Sequence, residues 1–230
     1  MGRAFQTTAP QLDPPAARRG APHRAANPVL LLMLSATLLA GEAGAAVRVD
    51  VAGDPLLGNP EAPVVLVEFA HFLCLACYNF QRAVMPRIRA ELVDKGSVAL
   101  VHKDLPIDDF TVSVAIAAAC AGEQRRFWEY HDILYARRKL HTAEDFAAYA
   151  AELELDATAF ADCLRQAPAS GRIRADRRAA QLLGVQATPT FLIARREPTG
   201  SKLRVLETIR GAVPFDVLAK KIRKAAAKSR

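Results

Sequence analysis

The chain has 230 residues, 51% hydrophobic and 24% charged, with 12 Gly and 14 Pro. That excludes a disordered, collagen-like or low-complexity protein and leaves one or two domains with room for a sizeable core. The net charge is +7, but beyond position 45 it falls to 27 basic against 22 acidic residues, a mild excess that calls for no nucleic acid. Four cysteines are too few for a disulfide-built scaffold, and no apolar run suits a polytopic membrane protein.

Arg18, Arg19 and Arg24 precede an apolar run from Val29 to Ala40, and Ala43-Gly44-Ala45 follows. A basic stretch, a short apolar core and an A-x-A pattern are the order of a secretory signal peptide. The core is short of the roughly 20 residues of a membrane span. Residues 1–45 are therefore expected to direct export, either removed afterwards or kept as an anchor. Either outcome places residues 46–230 in an oxidising, extracytoplasmic compartment such as the periplasm.

Residues 46–62, with Gly53, Pro55, Gly58, Asn59 and Pro60, read as a leader of turns. Pro63 to Phe69 is a short apolar run with β-branched residues, expected to be a buried strand. A helix is expected from Cys74 to Gly96, with Phe80, Val84, Ile88 and Leu92 on one face and a kink at Pro86. Ser97 to His102 closes a βαβ unit, for which a parallel pair and a right-handed crossover are expected. From Val112 to Leu183 the chain is Ala-rich and reads as four or five helices. Thr142 with Asp145 resembles a capping box, and Asp156 an N-cap. Thr190 to Ile193 and Leu203 to Glu207 read as a hairpin around Pro198 and Gly200. A final helix opens at Pro214.

Chemistry enters at Cys74-Leu75-Ala76-Cys77, a C-x-x-C after a buried strand and at a helix start. Unpaired N–H groups and the positive helix end favour a thiolate at Cys74, below the free value of roughly 8.5. Cys77, one turn further in, should be more buried and more protonated. That asymmetry suits exchange, in which one sulfur attacks and the other resolves. By itself the motif also fits half a zinc site or an inert pair. A structural zinc site wants four ligands, and the sequence offers no second C-x-x-C; His71 and His102 are the nearest candidates. The βαβ context favours the redox reading, with no metal and no cofactor beyond the Cys74–Cys77 disulfide.

Val64 to Phe80 resembles the active-site segment of DsbA-like thiol:disulfide oxidoreductases. Gly184-Val185-Gln186-Ala187-Thr188-Pro189-Thr190-Phe191 resembles their cis-proline loop, and Ala118 to His131 their inserted helical domain. The resemblance covers about residues 50–225. It implies an α/β thioredoxin-like fold, residues 63–110 and 184–230, with an all-helical insertion at 111–183. It implies an exported enzyme that passes disulfides to reduced or unfolded exported proteins and is reoxidised by a membrane redox partner. Pro189 would then face the C-x-x-C, with Thr188 and His71 bordering the substrate groove. Glu68, six residues before Cys74, would be a carboxylate beneath the disulfide that relays the proton of the buried cysteine; the alternative is a partly exposed strand acid. Cys120 and Cys163 would form a structural bridge, as in relatives; the alternative is two buried free thiols.

The best-known oxidants of the family carry Pro-His between the cysteines, where this chain has Leu75-Ala76, so the poise is open. A reductase or isomerase is the alternative direction. A chaperone that holds unfolded exported chains, with redox secondary, is the alternative class. No dimerisation segment is evident, so a monomer is expected.

Overall fold

The structure, a computed structural model, describes residues 46–137, 141–198 and 200–227. They belong to a unit spanning Gly44–Arg230. The expected export segment, residues 1–45, lies outside the described residues.

Two short strands come first, β1 (Arg48–Asp50) and β2 (Leu56–Leu57), followed by β3 (Val64–Ala70). Helix α1 (Leu75–Ala83) leads into α2 (Met85–Ile88) and a π-helical turn, Arg89–Val93. Strand β4 (Val98–Asp104) follows, then five helices: α3 (Asp109–Glu123), α4 (Phe127–Arg137), α5 (Ala143–Glu152), α6 (Ala157–Gln166) and α7 (Ser170–Leu182). The chain ends with β5 (Thr190–Arg196), β6 (Lys202–Arg210) and α8 (Phe215–Ala227). The strands form one sheet in the order β1-β6-β5-β3-β4-β2. Among the described residues only β3 and β4 pair in parallel, as a βαβ crossover requires; the other pairs are antiparallel.

Two expectations are corrected. The leader is not all turns: β1 pairs with β6 and β2 with β4, because both edges of the sheet offer free backbone groups to any extended neighbour. The expected single kinked helix is two helices and a π-turn. Pro86 stands in the first turn of α2, where its missing N–H costs nothing, so it starts a segment rather than bending one. Gly96, at φ 70°, ends the π-turn in a left-handed conformation that a side chain would disfavour.

The strand period of two divides β3 and β4 between two layers. Val64, Leu66, Val98 and Leu100 pack with Phe80, Met85, Ile88, Leu218 and Ile222 under α1, α2 and α8. Val65, Val67, Phe69, Ala99 and Val101 face the other way, with Ala180 of α7. Thus α7 lies on the sheet, whereas α3 to α6 build a separate cluster around Ala118, Cys120, Tyr130, Leu134, Tyr149 and Phe160. Local sequence starts these helices. Thr142 Oγ1 accepts from Asp145 N–H while the Asp145 carboxylate accepts from Thr142 N–H, and Asp156 accepts from Ala159 N–H at 2.7 Å. A disulfide joins Cys120 on α3 to Cys163 on α6, with Cα atoms 5.7 Å apart. Among the described residues no helix is long and apolar enough to cross a membrane.

Candidate active site

Cys74 is the N-cap of α1. It holds an extended backbone conformation, and its Sγ accepts the Cys77 N–H at 3.1 Å. Ser, Thr, Asp or Asn usually fills that role; here a thiol does, so the sulfur sits where the helix presents unpaired donors. Its own N–H donates to the His71 carbonyl at 3.0 Å, which fixes the turn into the helix. Cys74 is half-buried and Cys77 has no exposed surface. Both are free thiols.

The two thiols are pushed apart. A hydrogen bond from the Cys77 thiol, with the Cys77 N–H and the charge of His71, outweighs burial and holds Cys74 down to about 5. Burial, then the hydrogen bond to Cys74 and the nearby Glu68 charge, pushes Cys77 far above the ordinary thiol range. At neutral pH Cys74 is a thiolate and Cys77 keeps its proton.

The Thr188–Pro189 bond is cis, and the Thr188 carbonyl lies 3.5 Å from Cys74 Sγ. The structure thus brings Thr188, the residue before Pro189, against a residue 114 positions earlier. Pro189 is buried, and its carbonyl accepts from Gly211 N–H at 2.8 Å. His71 borders the same corner. Burial lowers its pKa against the pull of Cys74 and Asp108, and its carbonyl also accepts from Tyr135 Oη at 3.4 Å.

Glu68 is fully buried, on the sheet face of Leu66 and Val64. It is not a partly exposed acid. Burial raises its pKa to about 7, against the opposing pull of His102 and a hydrogen bond from Gln81. Gln81 Nε2 reaches both carboxylate oxygens, at 3.0 and 3.2 Å. His102, its register partner on β4, is itself buried 3.2 Å from Asp104 Oδ1. Burial works against the charge on His102, but Asp104 outweighs it and raises the pKa.

Gln81 was not legible as a site residue from type alone. The available signal is spacing: it follows Cys77 by four positions, on the same helix face. His102 could be found by aligning the two parallel strands, since Glu68 and His102 are each fifth in their strand. Among the described residues no group of three or more His, Cys, Asp or Glu side chains is arranged to hold a metal ion.

Residues 50–205 match the family model described as thioredoxin. The chain is 39% identical over 157 residues to a Na(+)/H(+) antiporter, NhaA 3, of Salinispora tropica, covering 67% of this chain and 24% of that protein. It thus spans about a quarter of that relative's length. It is 31% identical over 150 residues to the probable disulfide bond formation protein D of Bacillus anthracis, covering 60% of this chain and 68% of that one. The structure superposes on oxidised BdbD from Bacillus subtilis with a TM-score of 0.67 at 21% identity, over 79% of this chain and 98% of that one. At that identity the likeness speaks for the fold.

Proposed function

The chain belongs to the DsbA-like thiol:disulfide oxidoreductases of the thioredoxin family, and on that premise we propose that it is an exported oxidase that introduces disulfides into other exported proteins. The observation that carries the reading is the split between a Cys74 thiolate held at about 5 and a buried, protonated Cys77. A client thiolate attacks Cys74 Sγ of the Cys74–Cys77 disulfide; that bond breaks and its electron pair leaves on Cys77, which takes up a proton. A second client thiolate then attacks the client sulfur of the mixed disulfide and expels Cys74 as a stabilised thiolate. The client is oxidised by two electrons and the C-x-x-C is reduced by two. A membrane redox partner would reverse the change.

Stabilising the Cys74 thiolate favours the reduced form, so the disulfide is a good oxidant. The Cys120–Cys163 bridge supports an oxidising compartment, as does the basic, apolar, small-residue order of residues 1–45. Similarity to part of an antiporter supports placing the partners at a membrane.

Two measurements test this. Oxidised protein mixed with a reduced, unfolded disulfide protein should transfer its disulfide, and Cys74→Ser should abolish the transfer. A glutathione titration should give a potential between the values of thioredoxin and DsbA, about −270 and about −120 mV. Transfer that survives Cys74→Ser overturns the enzyme; a potential at or below about −270 mV overturns the oxidase direction and favours a reductase.

A further inference from the structure

Each turnover of the proposed exchange moves a proton at Cys77, and neither Cys77 nor Glu68 has exposed surface. The proton needs a group that reaches from that interior to water. Among the described residues, Gln81 Nε2 donates to both oxygens of the Glu68 carboxylate. Gln81 is half-buried, and it also lines a cleft of about 320 Å³ between α1, α2, the π-turn and α4. Tyr78, Met85, Arg89, Asp132 and Tyr135 line the same cleft.

The other groups that face Glu68 are His102 from β4, Arg89 from the π-turn, Tyr135 from α4, and the two cysteines of the C-x-x-C. His102 is engaged by Asp104, and Arg89 makes a two-pronged bond to Asp132 at 2.6 and 2.8 Å. Tyr135 lends its hydroxyl to the His71 carbonyl. Gln81 is the group that both grips the carboxylate and touches the cleft.

We infer that Gln81 is a positioning residue, holding the Glu68 carboxyl group ready for the Cys77 proton and opening it, on rotating away, to water in this cleft. The inference rests on the oxidoreductase reading. When the Cys74–Cys77 bond breaks, Cys77 Sγ receives the electron pair and takes the proton of the Glu68 carboxyl. The carboxylate left behind is steadied by the Gln81 amide and regains a proton from cleft water. On reoxidation the same steps run in reverse. The cleft, which neither Cys74 nor Cys77 lines, is thus the proton route of the exchange.

The test is the rate at which a small dithiol reduces the oxidised full-length protein between pH 5 and 9, corrected for the thiolate fraction of the dithiol. The parent should show a fast plateau at low pH and an inflection above the ordinary carboxylate range, set by the burial of Glu68, and Glu68→Gln should erase the inflection. Gln81→Met keeps the length and removes the donor that favours the carboxylate. A hydrogen bond to a charged group is worth about one pH unit or more, so the inflection should move upward by about that much while the plateau falls severalfold. Ala136→Trp, at the cleft wall, should lower the plateau and leave the inflection in place. If the parent exchanges but Gln81→Met keeps its inflection and plateau, or Glu68→Gln keeps the inflection, the inference is overturned. If Gln81→Met fails to melt cooperatively, Ala136→Trp decides alone, and a plateau equal to the parent's overturns it. A parent that exchanges nothing overturns the proposed function instead.

Discussion

Cys74 and Cys77 are three positions apart, yet one is steadied as an anion and the other as a neutral thiol. The cause is depth: the first caps α1 at the surface and collects donors, while the second is sealed among Ala70, Phe72 and Tyr135. A depressed folded pKa contributes stability that is fully present above the unfolded value and is lost as pH falls through the folded one. For Cys74 the window runs from about 8.5 in the unfolded chain down to about 5. Cys77 is protonated in both states over most of it and opposes the trend only near its upper end, where the unfolded thiol begins to ionise. The stability of the dithiol form, measured against that of the disulfide form by urea unfolding, should therefore fall as pH drops from about 8.5 to about 5. Alkylation of Cys74 should follow the same titration, with a midpoint near 5. A stability gap that does not move with pH would contradict the stabilised thiolate.

At the scale of elements, the helical block hangs together through α3 and α6. Cys120 and Cys163 close a loop of 43 positions between them. By the chain-entropy model a loop of that length restricts the unfolded chain by roughly 4 kcal/mol. The double variant Cys120→Ala/Cys163→Ala should lose stability of that order in urea unfolding under oxidising conditions, while keeping exchange at Cys74, which lies on a different element. A loss below about 1 kcal/mol would show that apolar packing of Tyr130, Leu134 and Phe160 holds the block without the bridge. Strands β3, β4, β5 and β6 and the helix starts at Thr142 and Asp156 were legible, because each is written in consecutive residues. Strands β1 and β2 were not: at three and two residues they carry no period and exist only because the sheet edges accept them.

Across the whole molecule, a buried group of charges ties the loop before β2 to β4 and α7. Lys103 Nζ lies 2.6 Å from Asp54 and 2.7 Å from Asp176, and Arg172 reaches Asp104 at 2.7 Å and Asp176 at 3.1 Å. All three aspartates are 1% exposed. Burial, then the charge of Asp54, raises Asp176 to about 7. Burial raises Asp54 too, against the pull of Lys103. Lys103→Met would leave these carboxylates with Arg172 as their remaining cation, at a cost of roughly 3–5 kcal/mol at neutral pH. Carboxylates with raised folded pKa values contribute stability below the unfolded value of about 3.9, and it is lost as pH rises through the folded value. The deficit of the variant relative to the parent should therefore shrink as pH falls from about 7 toward about 4. Thermal melts of both proteins at the two pH values check this, and a deficit independent of pH would mean that the cation does not serve those acids.

What the sequence determined by itself is what short-range chain geometry carries. The period of β3 and β4, the helix start at Cys74, the three-residue step to Cys77 and the pre-strand Thr188-Pro189 are all local; from them came the βαβ order and the C-x-x-C chemistry, and the resemblance that these segments carry implied the thioredoxin-like fold class. Only the tertiary structure decided who surrounds those atoms. The parallel register sets Glu68 beside His102, α1 lays Gln81 across the carboxylate, and the loop at Thr188 closes on Cys74 from 114 positions away. Lys103, an ordinary charged residue in a strand pattern, became the centre of a buried ion cluster because β4 turns it toward α7. The physical reason is common to all of them: the cost of holding a charge depends on which water is removed and which partner replaces it, and both are properties of the packed molecule rather than of neighbours along the chain.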